Sequence, residues 1–339
     1  MTSKIKIFFL IPDLSYGGAQ KTIVNLANTL SLEKNYIITI VVINNKKQIL
    51  NLNQNIKLIS FNSNRLLFCM HKFFLATLKF KPNLIISTTV HINILNILIK
   101  LLIRTKKTKF IIRESNPTFF RNDVSNFTKR VCRILYPYSD SIISLSNFVT
   151  EGLLSNIKNI KHKIYTIGNP IDIENITKQS EMITESNFKF NQNFQYICFC
   201  GRLSYQKNFE FIIKIISKIE MPNLRILVIG DGPEKNKLLN IIKNKNCYNN
   251  FIFLGYQNNP HYFIKRSKLF LLSSRWEGFG HVILESLVCE TPVVCFNTPG
   301  INKDFLGHNE IKYYKSNDTT FLANKLKKLI LNYNSEFVN

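Results

Sequence analysis

The chain of 339 residues is short of several things. It has no apolar run of the ~20 residues needed to cross a bilayer, so no membrane-spanning helix is expected. Its first apolar stretch, Ile5–Ile11, contains Lys6, ends in Pro12-Asp13 and reads as a strand, with no signal peptide evident. There is no C-x-x-C pair, which removes support for a zinc or dithiol motif. The seven cysteines are odd in number and scattered, and read as buried thiols in a reducing cytosol, with Cys198 and Cys200 alternating along one strand. Acidic residues are scarce: 21 Asp and Glu stand against 45 Lys and Arg, a formal charge of +24. Residues 1–180 hold 25 of the basic and 8 of the acidic side chains. The first half therefore seeks an anionic partner, a nucleic acid, a phospholipid surface or a phosphate-bearing substrate. No nucleic-acid motif accompanies the charge. There is also no short repeat and no long low-complexity tract.

An apolar content of 45% supports substantial cores, and the length suits two domains. Strand-like runs such as Lys6–Ile11, Ile37–Ile43, Leu84–Ser87 and Lys109–Ile112 alternate with helical patterns such as Gln20–Leu30, Arg65–Phe80 and Ile92–Ile103. That rhythm predicts βαβ units and a parallel sheet. Residues 173–193, rich in Asn, Glu, Ser, Thr and Gln, break it, and a second alternating series follows. The expected organisation is α/β: a Rossmann-like domain over 1–172, an interdomain linker over 173–193, a second Rossmann-like domain over 194–318, and a C-terminal helix over 319–339. Ligands of such sheets bind beyond the carboxyl ends of the strands. The expected active site is the cleft between the two facing domains.

Several segments carry chemistry. Glu277 and Glu285 stand eight apart in Ser274-Arg275-Trp276-Glu277-Gly278-Phe279-Gly280-His281-Val282-Ile283-Leu284-Glu285. Gly278 and Gly280 keep the first half out of a helix and let backbone approach a ligand. The helix that follows offers free N–H groups and a positive dipole end to an anion. Cys200-Gly201-Arg202-Leu203-Ser204-Tyr205-Gln206-Lys207-Asn208 follows a strand and carries two cations suited to a diphosphate, or simply solvated. The paired Gly17 and Gly18 end the first strand, where they serve a phosphate or a plain tight turn. Gly230, Asp231 and Gly232 form another strand-ending turn, and Tyr256 follows the next strand. His91 and the pair Arg113 and Glu114 also end strands of the first half; active-site and structural roles are both open for them. Two basic, apolar helices, Arg65–Lys81 with Phe68, Phe73, Phe74 and Phe80, and Ile92–Lys109, are candidates for an anionic bilayer face, or ordinary core helices with solvated edges.

The run EGFGHVILE followed by Thr291-Pro292-Val293-Val294 closely resembles the E-x7-E region of retaining glycosyltransferases of family 4, which have the GT-B fold. The glycine pair, the G-R-x4-K element, the Gly-Asp-Gly turn and E-x7-E occur here in that family's order, so the resemblance covers essentially the whole chain. It implies a transfer, with retention, of a sugar from a nucleotide diphosphate, most readily a UDP-hexose or UDP-N-acetylhexosamine. No cofactor or metal is implied, in keeping with the absence of a D-x-D triplet. It further implies that Arg202, Lys207 and the amides near Phe279 and Gly280 neutralise the leaving diphosphate, that Glu277 holds the donor sugar, and that Glu285 holds the ribose. Gly17, Gly18, Gly201, Gly230, Asp231, Gly232, Tyr256 and Gly278 would complete the donor site, with Tyr256 a stacking partner for the base. His91 joins Glu277, Arg202 and Lys207 as a catalytic candidate. Arg113-Glu114-Ser115-Asn116-Pro117 resembles the segment found in members acting on glycan intermediates, which puts Arg113 and Glu114 on the acceptor side. The last helix would cross back onto the first domain. Asn302-Lys303-Asp304 and His281 depart from the usual pattern.

The basic first half and the resemblance together point to a lipid-linked or oligosaccharide acceptor in O-antigen, capsule or related polysaccharide assembly, and to a cytoplasmic enzyme peripheral on the inner face of the membrane. A nucleotide-sugar epimerase of the same shape and a non-catalytic anion- or membrane-binding protein are the alternatives. The first needs further acid/base groups; the second makes both glutamates dispensable.

Overall fold

The computed structural model of the protein describes residues 4–15, 17–44, 50–63, 66–184, 186, 188–301 and 308–337. Tyr16, Arg65 and the Asn302-Lys303-Asp304 segment lie outside these. The chain divides into two compact units, Met1–Pro170 and Ile171–Asn339.

The first unit is one parallel sheet. Its strands are β1 (Ile5–Ile11), β2 (Tyr36–Val42), β3 (Lys57–Ser60), β4 (Leu84–Thr88), β5 (Lys109–Glu114), β6 (Ser141–Ser144) and β7 (Ile164–Thr166). Between them run α1 (Gly18–Leu30), α2 (Leu66–Phe80), α3 (Val90–Ile103), α4 (Asn126–Leu135) and α5 (Asn147–Leu154). The spatial order is β3-β2-β1-β4-β5-β6-β7. β1 reads IKIFFLI because helices cover both faces of the sheet, so both sets of alternating side chains are buried. Phe9 and Ile11 join the core with α1, while Phe8 and Leu10 join the core with α2 and α3.

The second unit repeats the plan. It comprises α6 (Ile173–Glu181), β8 (Gln195–Cys200), α7 (Phe209–Ile216), β9 (Leu224–Ile229), α8 (Lys235–Asn244), β10 (Phe251–Gly255), α9 (His261–Lys265), β11 (Phe270–Leu272), α10 (His281–Val288), β12 (Val293–Phe296), β13 (Ile311–Tyr314), α11 (Thr319–Leu331) and α12 (Tyr333–Phe337). The order is β10-β9-β8-β11-β12-β13, all parallel. β13 is an edge strand that the apolar alternation of the sequence does not predict.

One expectation fails here. Residues 173–193 are not a bare linker: α6 opens the second unit, capped by Asp172, whose side chain accepts from the Asn175 N–H. Its polar composition hides a short helix whose buried contacts are Ile176 and Ser180, one turn apart. Phe188 and Phe190 then pack on Tyr196, with ring centroids 5.8 and 4.9 Å apart. The C-terminal helix α11 lies in the second unit. α11 buries Leu322, Ala323, Leu326, Leu329 and Ile330 in the second unit's own core, beside α7. An apolar stripe of that width is satisfied by the nearest sheet face.

In each sheet the chain reverses direction beside its first strand. In unit one β1 lies between β2 and β4, and in unit two β8 lies between β9 and β11. The loops leaving β1 and β4, and those leaving β8 and β11, therefore diverge, and such switch points open crevices at the carboxyl ends of the strands.

Candidate active site

The second unit's switch point holds the best-formed site. The loop after β8, residues 201–208, and the loop after β11, residues 273–280, are laced by backbone and side-chain bonds. The Arg275 N–H donates to the Gln206 carbonyl at 2.7 Å, and Gln206 Nε2 donates to the Trp276 carbonyl at 3.2 Å. Ser273 Oγ donates to the carbonyls of Lys207 and Asn208. The Arg275 guanidinium lies over the Tyr205 ring, 4.3 Å from its centroid. This lacing brings together two residues seventy positions apart. Lys207 Nζ is 2.8 Å from Glu277 Oε1.

Glu277 is 6% exposed, and Ser274 Oγ donates to the same Oε1 at 2.5 Å. Its Oε2 makes no hydrogen bond among the described residues and is left to accept from a ligand. Beneath it, burial and then the Glu277 charge push the Cys295 thiol well up. Arg202 is exposed on the same loop as Lys207, and its guanidinium makes no ion pair among the described residues.

Gly280 precedes α10 with φ +81, and no side chain caps the helix. Gly278 and Phe279, the latter 8% exposed, fill the turn between Glu277 and this helix start. Glu285 lies one turn into α10; its Oε1 is 3.8 Å from His281 Nδ1 and 3.9 Å from His261 Nε2. The two glutamates of the E-x7-E run thus flank the amino end of a helix.

The Gly-Asp-Gly turn serves this site through packing. A Cβ at Gly230 would stand 2.1 Å from the Gly201 carbonyl oxygen, and one at Gly232 would stand 2.2 Å from that of Leu203. Backbone bonds from Gly201 N–H to Ile229 O and from Leu203 N–H to Asp231 O seal the contact. These glycines hold the Arg202 loop in place. Asp231 is turned to Lys235 at 2.9 Å and its own Gly232 N–H; these contacts lower its carboxyl. Gly255, with φ +67, is open around its Cβ position, and Tyr256 beyond it is about half exposed.

In the first unit, α1 starts at Gly18, where a Cβ would meet nothing within 4 Å, and Gly17 at the N-cap offers no side chain to the free N–H groups. Asp13 accepts from the Ser15 N–H and Oγ at 2.9 and 2.5 Å, which stiffens this loop. At the neighbouring strand end, Thr89 holds φ +75, a strained conformation for a β-branched residue. Two residues on, His91 is exposed in the first turn of α3.

Arg113 and Glu114 do not pair with each other. Arg113 donates to Thr88 Oγ1 at 3.0 Å and Asn169 Oδ1 at 2.5 Å, and burial takes its guanidinium down to about 10. Glu114 is 2% exposed; Thr118 Oγ1 donates to one oxygen and Tyr136 OH to the other at 2.7 Å. Burial raises its carboxyl, against the opposing pull of those bonds. Glu114 is thus held as a structural group.

The two basic helices are core helices with solvated edges. Most of α3 is core, with Ile92, Leu95, Ile97 and Ile99 buried; besides His91, Leu101, Leu102 and the following Arg104, Lys106, Lys107 and Lys109 are exposed. On α2, Phe73 is fully buried, while Phe68, Leu75 and Leu78 face out among His71, Lys72 and Lys79. A third face escaped sequence reasoning. Phe127, Arg130 and Ile134 on α4, with Tyr138 beyond it, form an exposed stripe at i, i+3, i+7 and i+11. Helical spacing of aromatic and basic residues was its signal. No helix among the described residues is long and apolar enough to cross a membrane, and no cluster of three His, Cys, Asp or Glu among them is placed to hold a metal ion. None of the seven cysteines forms a disulfide, and burial pushes Cys132 and Cys289 up to about 12.

Residues 182–337 match the sequence model of the family described as glycosyl transferases group 1. An uncharacterized glycosyltransferase of Methanocaldococcus jannaschii is 30% identical over 230 residues, 64% of this chain and 56% of that protein, so the chain spans about half of that relative's length. A Campylobacter jejuni alpha-1,4-N-acetyl-D-galactosaminyltransferase, whose name gives a diNAcBac-PP-undecaprenol glycan as its acceptor, is 26% identical over 99% of this chain and 92% of its own length. Among solved structures, Anabaena HepE in complex with UDP and glucose superposes with a TM-score of 0.76 at 17% identity, covering 98% of this chain and 91% of that one. Both parallel-sheet units thus follow the GT-B fold, and the second carries the match to glycosyl transferases group 1.

Proposed function

We propose that the chain transfers a hexose or N-acetylhexosamine from a UDP-sugar to a lipid-linked glycan in surface-polysaccharide assembly, with retention and without a metal ion. The observation that carries this reading is the Lys207–Glu277 pair at the second unit's switch point, set before the uncapped start of α10. Glu277 Oε2 accepts donor-sugar hydroxyls, and Glu285 accepts those of the ribose. Arg202, Lys207 and the helix N-terminus stabilise charge on the diphosphate, in the manner of fixed dipoles aimed at developing charge. The anomeric C–O bond to phosphate breaks as the acceptor oxygen bonds the same face, and the acceptor proton passes to the leaving phosphate. No residue needs to form a covalent sugar adduct. His91 and the glycine pair at the first unit's switch point serve the acceptor or the diphosphate.

The Campylobacter relative supports a polyprenyl-diphosphate glycan as acceptor. The exposed basic and aromatic stripes of α2 and α4 support peripheral binding to an anionic membrane from the cytoplasmic side.

The test is nucleotide release from UDP-, GDP- and ADP-sugars with membrane lipid extract, in chelator, with Glu285→Ala beside the wild type. Release from one donor, raised by the extract and lost in the variant, is expected. Equal turnover by wild type and variant overturns the assignment of Glu285, and a requirement for added divalent metal overturns the metal-free reading.

A further inference from the structure

One buried arginine holds both ends of a strained turn in the first unit. β4 ends at Thr88, and Thr88 is the register partner of Arg113 on β5. Side chains paired in register stand on the same face of a sheet, and the Arg113 guanidinium donates across to Thr88 Oγ1 at 3.0 Å. Further along, on α3, Asn93 Nδ2 donates to the Arg113 carbonyl at 3.1 Å. Between these two points lie Thr89, at φ +75, and the exposed His91. A bond to Asn169 Oδ1 at 2.5 Å fixes the guanidinium itself to the last residues of the unit.

The bracket is built from polar side chains inside an apolar helix. Asn93 and Asn96 are fully buried in VHINILNILIKLLI. Asn93 Oδ1 accepts from Ser87 Oγ at 2.8 Å, and Asn96 Nδ2 donates to Ser87 Oγ at 3.0 Å and to the Ile111 carbonyl at 3.1 Å. Burying amides is costly even when they are bonded, and apolar side chains of similar shape would pack the helix on the sheet without that cost. What the asparagines add is a fixed register between the start of α3 and the ends of β4 and β5.

Thr89 requires that hold. A β-branched residue at positive φ is an outlier that persists only where its surroundings impose it. Left free, the turn would relax and carry the residues after it to a new place. Arg113 imposes the conformation from two sides, with its guanidinium before Thr89 and its carbonyl after His91. Burial takes the guanidinium down only to about 10, so it remains a charged donor at neutral pH.

We propose that Arg113 is a positioning residue for His91. It keeps the 88–93 turn in its strained form, so that the imidazole stands at the carboxyl end of β4, where it serves the acceptor or the diphosphate. The inference rests on that reading of His91.

The experiment has two arms on the full chain, with thermal melting to confirm folding. Arg113→Met removes the guanidinium. Thr88→Val keeps the shape of the side chain, removes only the acceptor on the turn, and carries the test where Arg113→Met fails to fold. In the first arm, amide exchange is followed at Asn93, whose N–H donates to the Thr89 carbonyl at 2.8 Å. It is expected to quicken at least about tenfold in both variants, while the amides of β1 keep their wild-type rates. In the second arm, nucleotide release from the donor selected by the sugar-nucleotide panel, with membrane lipid extract, is expected to fall about tenfold or more in both variants. Added to His91→Ala, either change is expected to cost no more than about twofold further, a non-additivity that general loosening of the fold would not produce. Wild-type exchange at Asn93 in both folded variants overturns the bracket. An equal fold-loss with and without His91 shows that Arg113 acts on another group and overturns the positioning role. If His91→Ala turns over as the wild type does, the reading of His91 and this inference fall together. If His91→Ala is impaired while the folded Arg113→Met and Thr88→Val proteins are not, the inference alone falls.

Discussion

Replacing Lys207 by Met should do more harm to stability than replacing its partner Glu277 by Gln, and the double change should restore much of the loss. In Lys207→Met, a carboxylate 6% exposed keeps only the Ser274 hydroxyl. Breaking a buried pair from one side costs about 3–5 kcal/mol because it strands the other charge. The lysine side chain retains 19% exposure, so the lower end, ~3 kcal/mol, is expected. In Glu277→Gln the amide still meets Ser274, and the ammonium can turn to water, a loss of about 1 kcal/mol. The double variant has neither stranded charge and should lie within ~1.5 kcal/mol of wild type, a coupling of roughly 2 kcal/mol or more. Urea denaturation reads all four proteins, and UDP-sugar turnover is read in parallel. Stability should return in the double variant while turnover stays depressed by at least about a hundredfold, because the groups facing the donor are gone. Additive stability losses would refute the pair as the tie between the two loops. Wild-type turnover in the double variant would refute its place in the active site.

Gly230→Ala drives a Cβ to 2.1 Å from the Gly201 carbonyl at a φ of +127, and should cost at least about 2 kcal/mol while weakening UDP binding; denaturation midpoints and calorimetry check both, and an unchanged protein would show that the Arg202 loop is not held there. The buried Glu114 carboxyl is raised in the folded chain, so its contribution favours folding at pH below the unfolded value near 4.5 and is lost as pH rises through the folded value; Glu114→Gln should therefore flatten the decline of stability above that range in pH-dependent melting, and a parallel decline in both proteins would contradict this. The combined change Phe127→Ser and Ile134→Ser touches side chains that are 77% and 59% exposed; it should leave the melting temperature nearly unchanged and reduce sedimentation with anionic vesicles several-fold, whereas equal sedimentation would remove α4 from the membrane face.

The alternation of strands and helices was legible because each parallel strand is covered on both faces and so reads as an unbroken apolar run, as IKIFFLI does in β1. The polar run at 173–193 read as a linker for a related reason. α6 buries only Ile176 and Ser180 of nine residues, too little apolar surface for periodicity to detect. The last helix was legible as a helix, and its stripe packs in the second unit's core. An apolar stripe states that a face is covered and says nothing of which sheet covers it. Within the site, the glycines and charges of the two loops were visible in the sequence, while the Lys207–Glu277 bond, which depends on sheet order, was not.

Sheet order also explains why the glycines mattered differently from what their spacing suggested. β8 lies between β9 and β11, so the loop leaving β8 is confined on one side by the turn after β9 and on the other by the loop after β11. Gly230 and Gly232 permit the first contact, in which side chains would collide with backbone carbonyls. Lys207 and Ser273 make the second. Arg202 is left exposed between these two fixed sides. A cation held on a loop braced from both flanks loses less freedom on meeting a diphosphate than one on a mobile turn, and that saving is what preorganisation supplies to a charged transition state. Loosening either flank should therefore weaken diphosphate binding even when Arg202 itself is untouched.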